Sequence, residues 1–569
     1  MRTTKMNKTS ANSMLLPALI LALAFIFVAP AHASVPGITA AGGGSKGTFN
    51  LTAQTAFLNQ PDGSTVYSWG YGCTGGTATF AQTLGMADYD GQNCPTMQVP
   101  GPTLVVTEGD TVTINLSNGL PTAAGNTSIL FPGFVVTATG GVAGLLTQEA
   151  GPGGSVTYTF VASSPGTHSY YSGTQGDLQV EMGLYGAIIV LPKTANIPAN
   201  CTSGLATTNQ SVKHVWGEWD WRLAAAAYDH PDSCYDREYL FQWAEMDPNI
   251  HKQALAQVTA LNGCTAGSPG CSLNVPTEPY HPSYFLINGR SMPDLMDANY
   301  AAEYPHQPYN GNPHMHPGDL TLIRAIGQGR WQHPFHEHAN HVRILGRDGN
   351  MILSSASITY QNGGVAPALA GPLMFNTDTT PGEAFDGIFY FTGRGLNWDA
   401  YGHNPGSSDP YATVSCTPDA NGYNTAVTSM DKLHTINYYE WCQDHNKPLE
   451  VAPFGDVNAG GPATLPDPNI FTNGPWYGGT PYLGPDATLR GGGNQACLND
   501  VNGPINAGSS PCSTLQPSNI QANPANERGW AYMWHSHNER EITTNNVFPG
   551  GMLMMMLVDT REFVIDESK

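Results

Sequence analysis

The stretch VPGPTLVVTEGDTVTINLSNGLP (99–121) sets the strongest limit on how this chain folds. Within it Val112, Ile114 and Leu116 alternate with Thr111, Thr113 and Asn115. A period of two sends successive side chains to opposite faces, the pattern of a strand with one face buried and one wet. Glu108-Gly109-Asp110 supplies the turn that enters it. GGSVTYTF (153–160) and GLYGAIIVLP (183–192) read as two further strands. With 65 Gly and 44 Pro, and only 12% charged residues, the chain has many turns and little material for long amphipathic helices. The expectation is an all-β fold, and from about residue 50 to 195 a β-sandwich is the economical arrangement.

The first residues have a different character. Arg2, Lys5 and Lys8 precede an apolar run from Met14 to Val28, and Ala31-His32-Ala33 follows as a small-x-small site. This is the layout of a secretory signal peptide over 1–33, with a mature start at Ser34. The run is too short to stay as a membrane-spanning helix, and no later stretch is long enough, so no stable membrane anchor is expected. Residues 34–195 then form a first β-domain and 196–280 a connector with little strand pattern. Inside the connector, DPNIHKQALAQVTALNG (247–263) predicts a short helix capped by Asp247 and ended by Gly263. A second β-domain runs over 281–398 and resumes over 525–569. Between its halves, 399–524 is Gly/Pro/Asn/Asp-rich and carries four cysteines, which suits a disulfide-pinned insertion.

Ten cysteines, an even number, in an exported chain read as disulfides. Sequential pairing (Cys73–Cys94, Cys201–Cys234, Cys264–Cys271, Cys416–Cys442, Cys497–Cys512) is the simplest connectivity, although spacing alone leaves others open. The compartment expected is periplasmic, cell-surface or extracellular. The formal charge of −22 falls to −25 without residues 1–33. Such a surface repels nucleic acid and weakly favours cationic partners. No P-loop, GxSxG or HExxH motif occurs, so nucleotide, serine-hydrolase and zinc-protease chemistries gain no support.

HPFHEHANH (333–341) places four of the eighteen histidines in nine positions. Residues i and i+2 of a strand share a face, so each His-x-His pair presents two imidazoles to one place. Three such pairs stand in strand-like contexts: His314/His316, His336/His338 and His535/His537. His333 lies at the entry to the second pair, while Glu337 and His341 have the opposite parity and face away. Histidines bonded to carbonyls and water at a sandwich edge are the bland alternative. Three pairs favour metal, and imidazole ligation suits copper, with zinc or iron as alternatives.

HPFHEH resembles the HPFHLH motif of the multicopper oxidases, and WHSH (534–537) resembles their HCH motif. VPGPTLVVTEGDTVTINLSN, GTHSYYSGTQGDLQVEMGLYGAIIV (166–190) and the GGM of 550–552 look like landmarks of the same family. The resemblance implies two cupredoxin-like domains of Greek-key β-sandwich type. It implies a ligand set as well, and here the chain departs from the family. Where the family's first domain carries two His-x-His pairs, this chain has Leu130 and Pro132 in one motif and Tyr171 and Gly173 in the other. His336, His338, His535 and His537 match the second domain's half of the copper cluster. His333 matches a ligand of the blue (type 1) copper, but Ser536 replaces that centre's cysteine and Glu541 its second histidine; Met552 stands near the axial position. A blue centre needs a thiolate that serine cannot provide.

The expectation is therefore a secreted copper-binding oxidoreductase with a non-blue, all-histidine site in the second domain. The pair His314/His316 is expected on a strand adjacent to the HPFHEH strand, completing the ligand set, with His333 as a peripheral ligand. The number of ions is left open. A small-molecule or metal-ion substrate and a homo-oligomer fit this reading. The alternative is a non-catalytic copper-binding or extracellular structural protein of cupredoxin-like fold.

Overall fold

The computed structural model describes residues 35–39, 46–76, 78–81, 94–202, 220–359, 364–391, 417–420, 422, 442, 479–481, 529–559 and 565. Residues 1–33, expected as a signal peptide, and nearly all of 399–524, expected as an insertion, lie outside the described residues. The described chain is almost entirely β.

Two five-stranded sheets make the first sandwich. One runs Thr65–Cys73, Lys46–Asn59, Thr111–Asn118, Ser155–Val161, Thr137–Gly140; the other runs Gly166–Tyr171, Tyr185–Leu191, Leu104–Thr107, Ile38–Thr39, Thr79–Phe80. Lys46–Asn59 is parallel to Thr111–Asn118, and Tyr185–Leu191 is parallel to Leu104–Thr107. Consecutive strands therefore cross between sheets rather than forming a simple meander. The alternation read at 111–118 is realised: Val112, Ile114 and Leu116 are fully buried, and Thr113 and Asn115 between them are not. They pack with Trp69, Tyr71, Tyr158 and Ile188 in one apolar core.

The second sandwich holds the site. Its first sheet runs Tyr284–Ile287, Arg237–Met246, Leu320–Gly327, Ala384–Tyr390, Val342–Arg347, Asn350–Met351. Its second runs His314–Met315, Leu553–Asp559, Gly529–Ser536, His333–Glu337, Asn376–Thr379. Between them lie Phe241, Trp243, Ile323, Phe335, Trp534, Met552, Met554 and Met556. The strand Arg237–Met246 corrects the reading of 196–280 as a connector with little strand character. All ten of its residues are buried, so it has no wet face and shows no period of two. Following it, the helix Pro248–Ala260 forms where the caps place it: the Asp247 side chain accepts from Asn249 N at 2.9 Å, and Gly263 has φ +80°.

Buried charge joins the two sandwiches. Arg324 pairs with Glu238 at 2.9 Å and with Asp386 at 3.4 Å, and the Thr167 hydroxyl of the first sandwich donates to Asp386 at 2.6 Å. Cys73–Cys94, Cys201–Cys234 and Cys264–Cys271 are bonded, as sequential pairing anticipates. The pairs 416–442 and 497–512 lie outside the described residues, although Cys442 is itself disulfide-bonded. No helix among the described residues is long and apolar enough to cross a membrane.

Candidate metal centre

The second sheet of the second sandwich has an inner face on the core and an outer face that carries the histidines. Phe335 and Trp534 alternate inward, so His336, His338 and His535 turn outward by the period of two. Antiparallel register then sets His336 directly opposite His535. One ligand nitrogen from each of His336, His338 and His535 falls within a sphere where all lie within 4.8 Å of one another. The His535 and His338 Nε2 atoms are 3.2 Å apart. Two imidazole nitrogens bound about 2.0 Å from one tetrahedral ion stand roughly 3.3 Å apart, so this spacing suits a shared cation. The His537 ring is 4.8 Å from that of His336 and 5.8 Å from that of His535, and His537 is exposed where the others are buried. The cluster thus has three buried imidazoles and one at its open rim.

Its surroundings favour neutral, ligating imidazoles. His535 Nδ1 lies 2.6 Å from the Ser536 carbonyl oxygen, to which it donates, leaving Nε2 as the lone-pair atom. Burial, and then the neighbouring His535 and His537, push the His336 pKa down to about 4. The Trp534 indole donates to the His338 carbonyl at 3.1 Å, and His338 N donates to the Met533 carbonyl at 3.3 Å, fixing the end of that strand. The donor set fits a metal on these grounds.

The other expected ligands are elsewhere. The His314–Met315 strand is not adjacent to His333–Glu337; it is the opposite edge of the sheet, paired in parallel with Leu553–Asp559. His314 is level with Leu557, whereas His535 is level with Leu553. Four residues along and two strands across amount to about 13 Å and about 10 Å. The structure does not bring His314 and His316 to the cluster. Order along the chain suggested adjacency, but Leu553–Asp559 and Gly529–Ser536 stand between the two strands.

His333 is also diverted. Its Nδ1 is 2.9 Å from Glu541 Oε2 and its Nε2 2.9 Å from Glu245 Oε2, all three side chains being buried. Both nitrogens donate to carboxylates, which leaves no lone pair for a metal. Burial alone would lower the pKa of His333, but the two hydrogen bonds outweigh it and raise the pKa to about 9. Ser536 Oγ donates a short hydrogen bond to Glu541, and the Met552 N–H donates to the Glu541 carbonyl at 2.7 Å. The positions that resemble a blue copper site do converge, therefore, but as a Glu–imidazolium–Glu clamp. Glu245 Oε1 is bonded by Tyr280 OH (3.0 Å), Arg330 N (2.7 Å) and Trp331 N (2.9 Å). Glu245 was invisible as a functional residue because it sits in the all-buried strand Arg237–Met246. In the first sandwich, Leu130 N donates to Tyr171 O at 2.7 Å, and a side chain at Gly173 would strike Leu130 at 2.7 Å. Of the four positions aligned with first-domain ligands, Leu130 thus lies against both Tyr171 and Gly173, and none of the four is a histidine.

Residues 92–195, in the first sandwich, match the family described as multicopper oxidase. Multicopper oxidase MCE of Talaromyces pinophilus is 35% identical over 126 residues, 21% of this chain and 20% of that protein. Copper resistance protein A of Escherichia coli is 39% identical over 93 residues, 16% of this chain and 14% of that one. A blue copper oxidase from Nitrosomonas europaea superposes with a TM-score of 0.40 and 14% identity over 90% of this chain and 85% of its own. Over residues 92–195 the chain is similar to the multicopper oxidases. Its matched part spans only 20% and 14% of the lengths of the two relatives from Talaromyces pinophilus and Escherichia coli.

Proposed function

We propose that this chain is an exported copper protein whose ion or ions are held by His336, His338, His535 and His537, without a blue centre, and that it acts as an oxidoreductase. The observation that carries this reading is the approach of three buried imidazole nitrogens to within 4.8 Å. Copper bound there would supply one-electron redox chemistry. The chain's own contributions are positional: the Ser536 carbonyl holds the His535 tautomer, Trp534 and Met533 hold the His338 backbone, and exposed His537 marks the side open to a small-molecule or metal-ion substrate. The disulfides among the described residues fit an oxidising compartment.

One observation favours a second reading, that of a copper binder without turnover. The clamp on His333 occupies the place where the family resemblance puts the blue copper. Reconstitution with Cu(II), followed by electron paramagnetic resonance, visible spectroscopy and oxygen consumption with a reductant, separates the two. Stoichiometric copper with no intense visible band, lost in H336N/H338N, supports the site; oxygen uptake that depends on those histidines supports the enzyme. Full copper binding by H336N/H338N would refute the assignment.

A further inference from the structure

The outer face that carries the histidines continues past them into sulfur. Met533 lies two residues before His535 on the Gly529–Ser536 strand, and Tyr532 and Trp534 between and beside them are buried in the core. Met533 therefore shares the face of His535. Its partner across the ladder is Met555, just as Leu553 is the partner of His535. On its other side, His338 N donates to Met533 O, continuing the register in which Glu337 opposes Trp534. His338, Met533 and Met555 thus form one row across three adjacent strands, one step below the row of His336, His535 and Leu553. Directly opposed side chains in such a row have Cβ atoms about 5 Å apart, within reach of a single ion for long, unbranched thioethers.

Among the described residues, packing does not account for this pair as it does for the neighbouring methionines. Met552, Met554 and Met556 are fully buried in the core beneath the sheet. Met533 and Met555 are half-buried and belong to no apolar cluster among the described residues. Thioether sulfur is a soft ligand that favours monovalent copper over hard or borderline divalent ions.

We propose that Met533, Met555 and the imidazole of His338 form a second cation site, for a cuprous ion, beside the histidine cluster. Its use as an entry point, with His338 shared between the two sites, rests on the copper reading above; cation capture by the two thioethers does not.

The test is an anaerobic titration of the full chain with Ag(I), a redox-inert substitute for Cu(I), in wild type, M533L/M555L and H336N/H535N. Leucine conserves volume and apolarity, so the fold is retained, and an unchanged Cu(II) resonance signal in M533L/M555L verifies this. The expected result is at least a tenfold weakening of Ag(I) binding in M533L/M555L and its persistence in H336N/H535N. X-ray absorption of the Cu(I)-loaded wild type should then show sulfur neighbours that are absent in M533L/M555L. Equal Ag(I) affinity in wild type and M533L/M555L, or Cu(I) without sulfur neighbours, would overturn the proposal. Thioether-dependent Ag(I) binding in a chain whose histidines take up no Cu(II) would uphold the soft site and remove the handover with the cluster reading.

Discussion

Replacing His333 by glutamine should change how stability depends on pH, by an amount the structure sets. His333 is fully buried between Glu245 and Glu541, with a pKa raised from 6.5 to about 9. Glu245 also accepts from Tyr280 OH and from the backbone N–H of Arg330, and Tyr280 OH lies within hydrogen-bond distance of Glu181. A raised pKa means that the native state binds the proton more tightly than the unfolded chain. The stabilisation is therefore complete below pH 6.5 and is lost as pH rises through 9. At about 1.36 kcal/mol per pKa unit, the full span is about 3 kcal/mol. No screening discount applies to so buried a group. Urea unfolding of wild type and H333Q at several values between pH 6 and 9.5 checks this. Wild-type stability should fall by about 3 kcal/mol more than that of H333Q over the window. H333Q should also be destabilised at pH 6 by about 3–5 kcal/mol, because two buried carboxylates lose their cation. E541Q should move the transition of His333 to lower pH, readable by nitrogen resonance of the imidazole. Identical slopes for wild type and H333Q would refute the imidazolium assignment.

Three more outcomes follow from the same geometry. Ser536→Cys alone, loaded with copper, should stay without an intense visible band, because Glu245 and Glu541 still occupy both His333 nitrogens; a blue product would show that the clamp opens. Trp534→Ala removes a fully buried indole and its bond to the His338 carbonyl; unfolding should cost about 3–5 kcal/mol less, and Cu(II) affinity, measured by competition with a chelator, should weaken. Asp247→Ala deletes the side chain that accepts from both Asn249 N and His281 N, and thermal unfolding should report a loss of about 1–2 kcal/mol.

Local periodicity was enough for much of this protein. The alternation at 111–118 needs only a half-buried strand, and the cap and stop of the 247–263 helix need only its own residues, so both could be read before any tertiary contact. The outward parity of His336/His338 and of His535/His537 follows from the same rule, which is why these four positions were legible as a group. The buried strand Arg237–Met246 was not, since a strand covered on both faces carries no alternation to read.

By itself, then, the sequence determined which side chains share a strand face, because that depends on a two-residue repeat within one segment. Only the tertiary structure decided which strands lie side by side. Sheet order comes from how whole apolar faces pack, and residues hundreds apart become neighbours: Leu553–Asp559 displaces His314 and His316 from the cluster, and Glu245 and Glu541 reach His333 from separate segments. The row of His338, Met533 and Met555 likewise exists only once three strands have found their register.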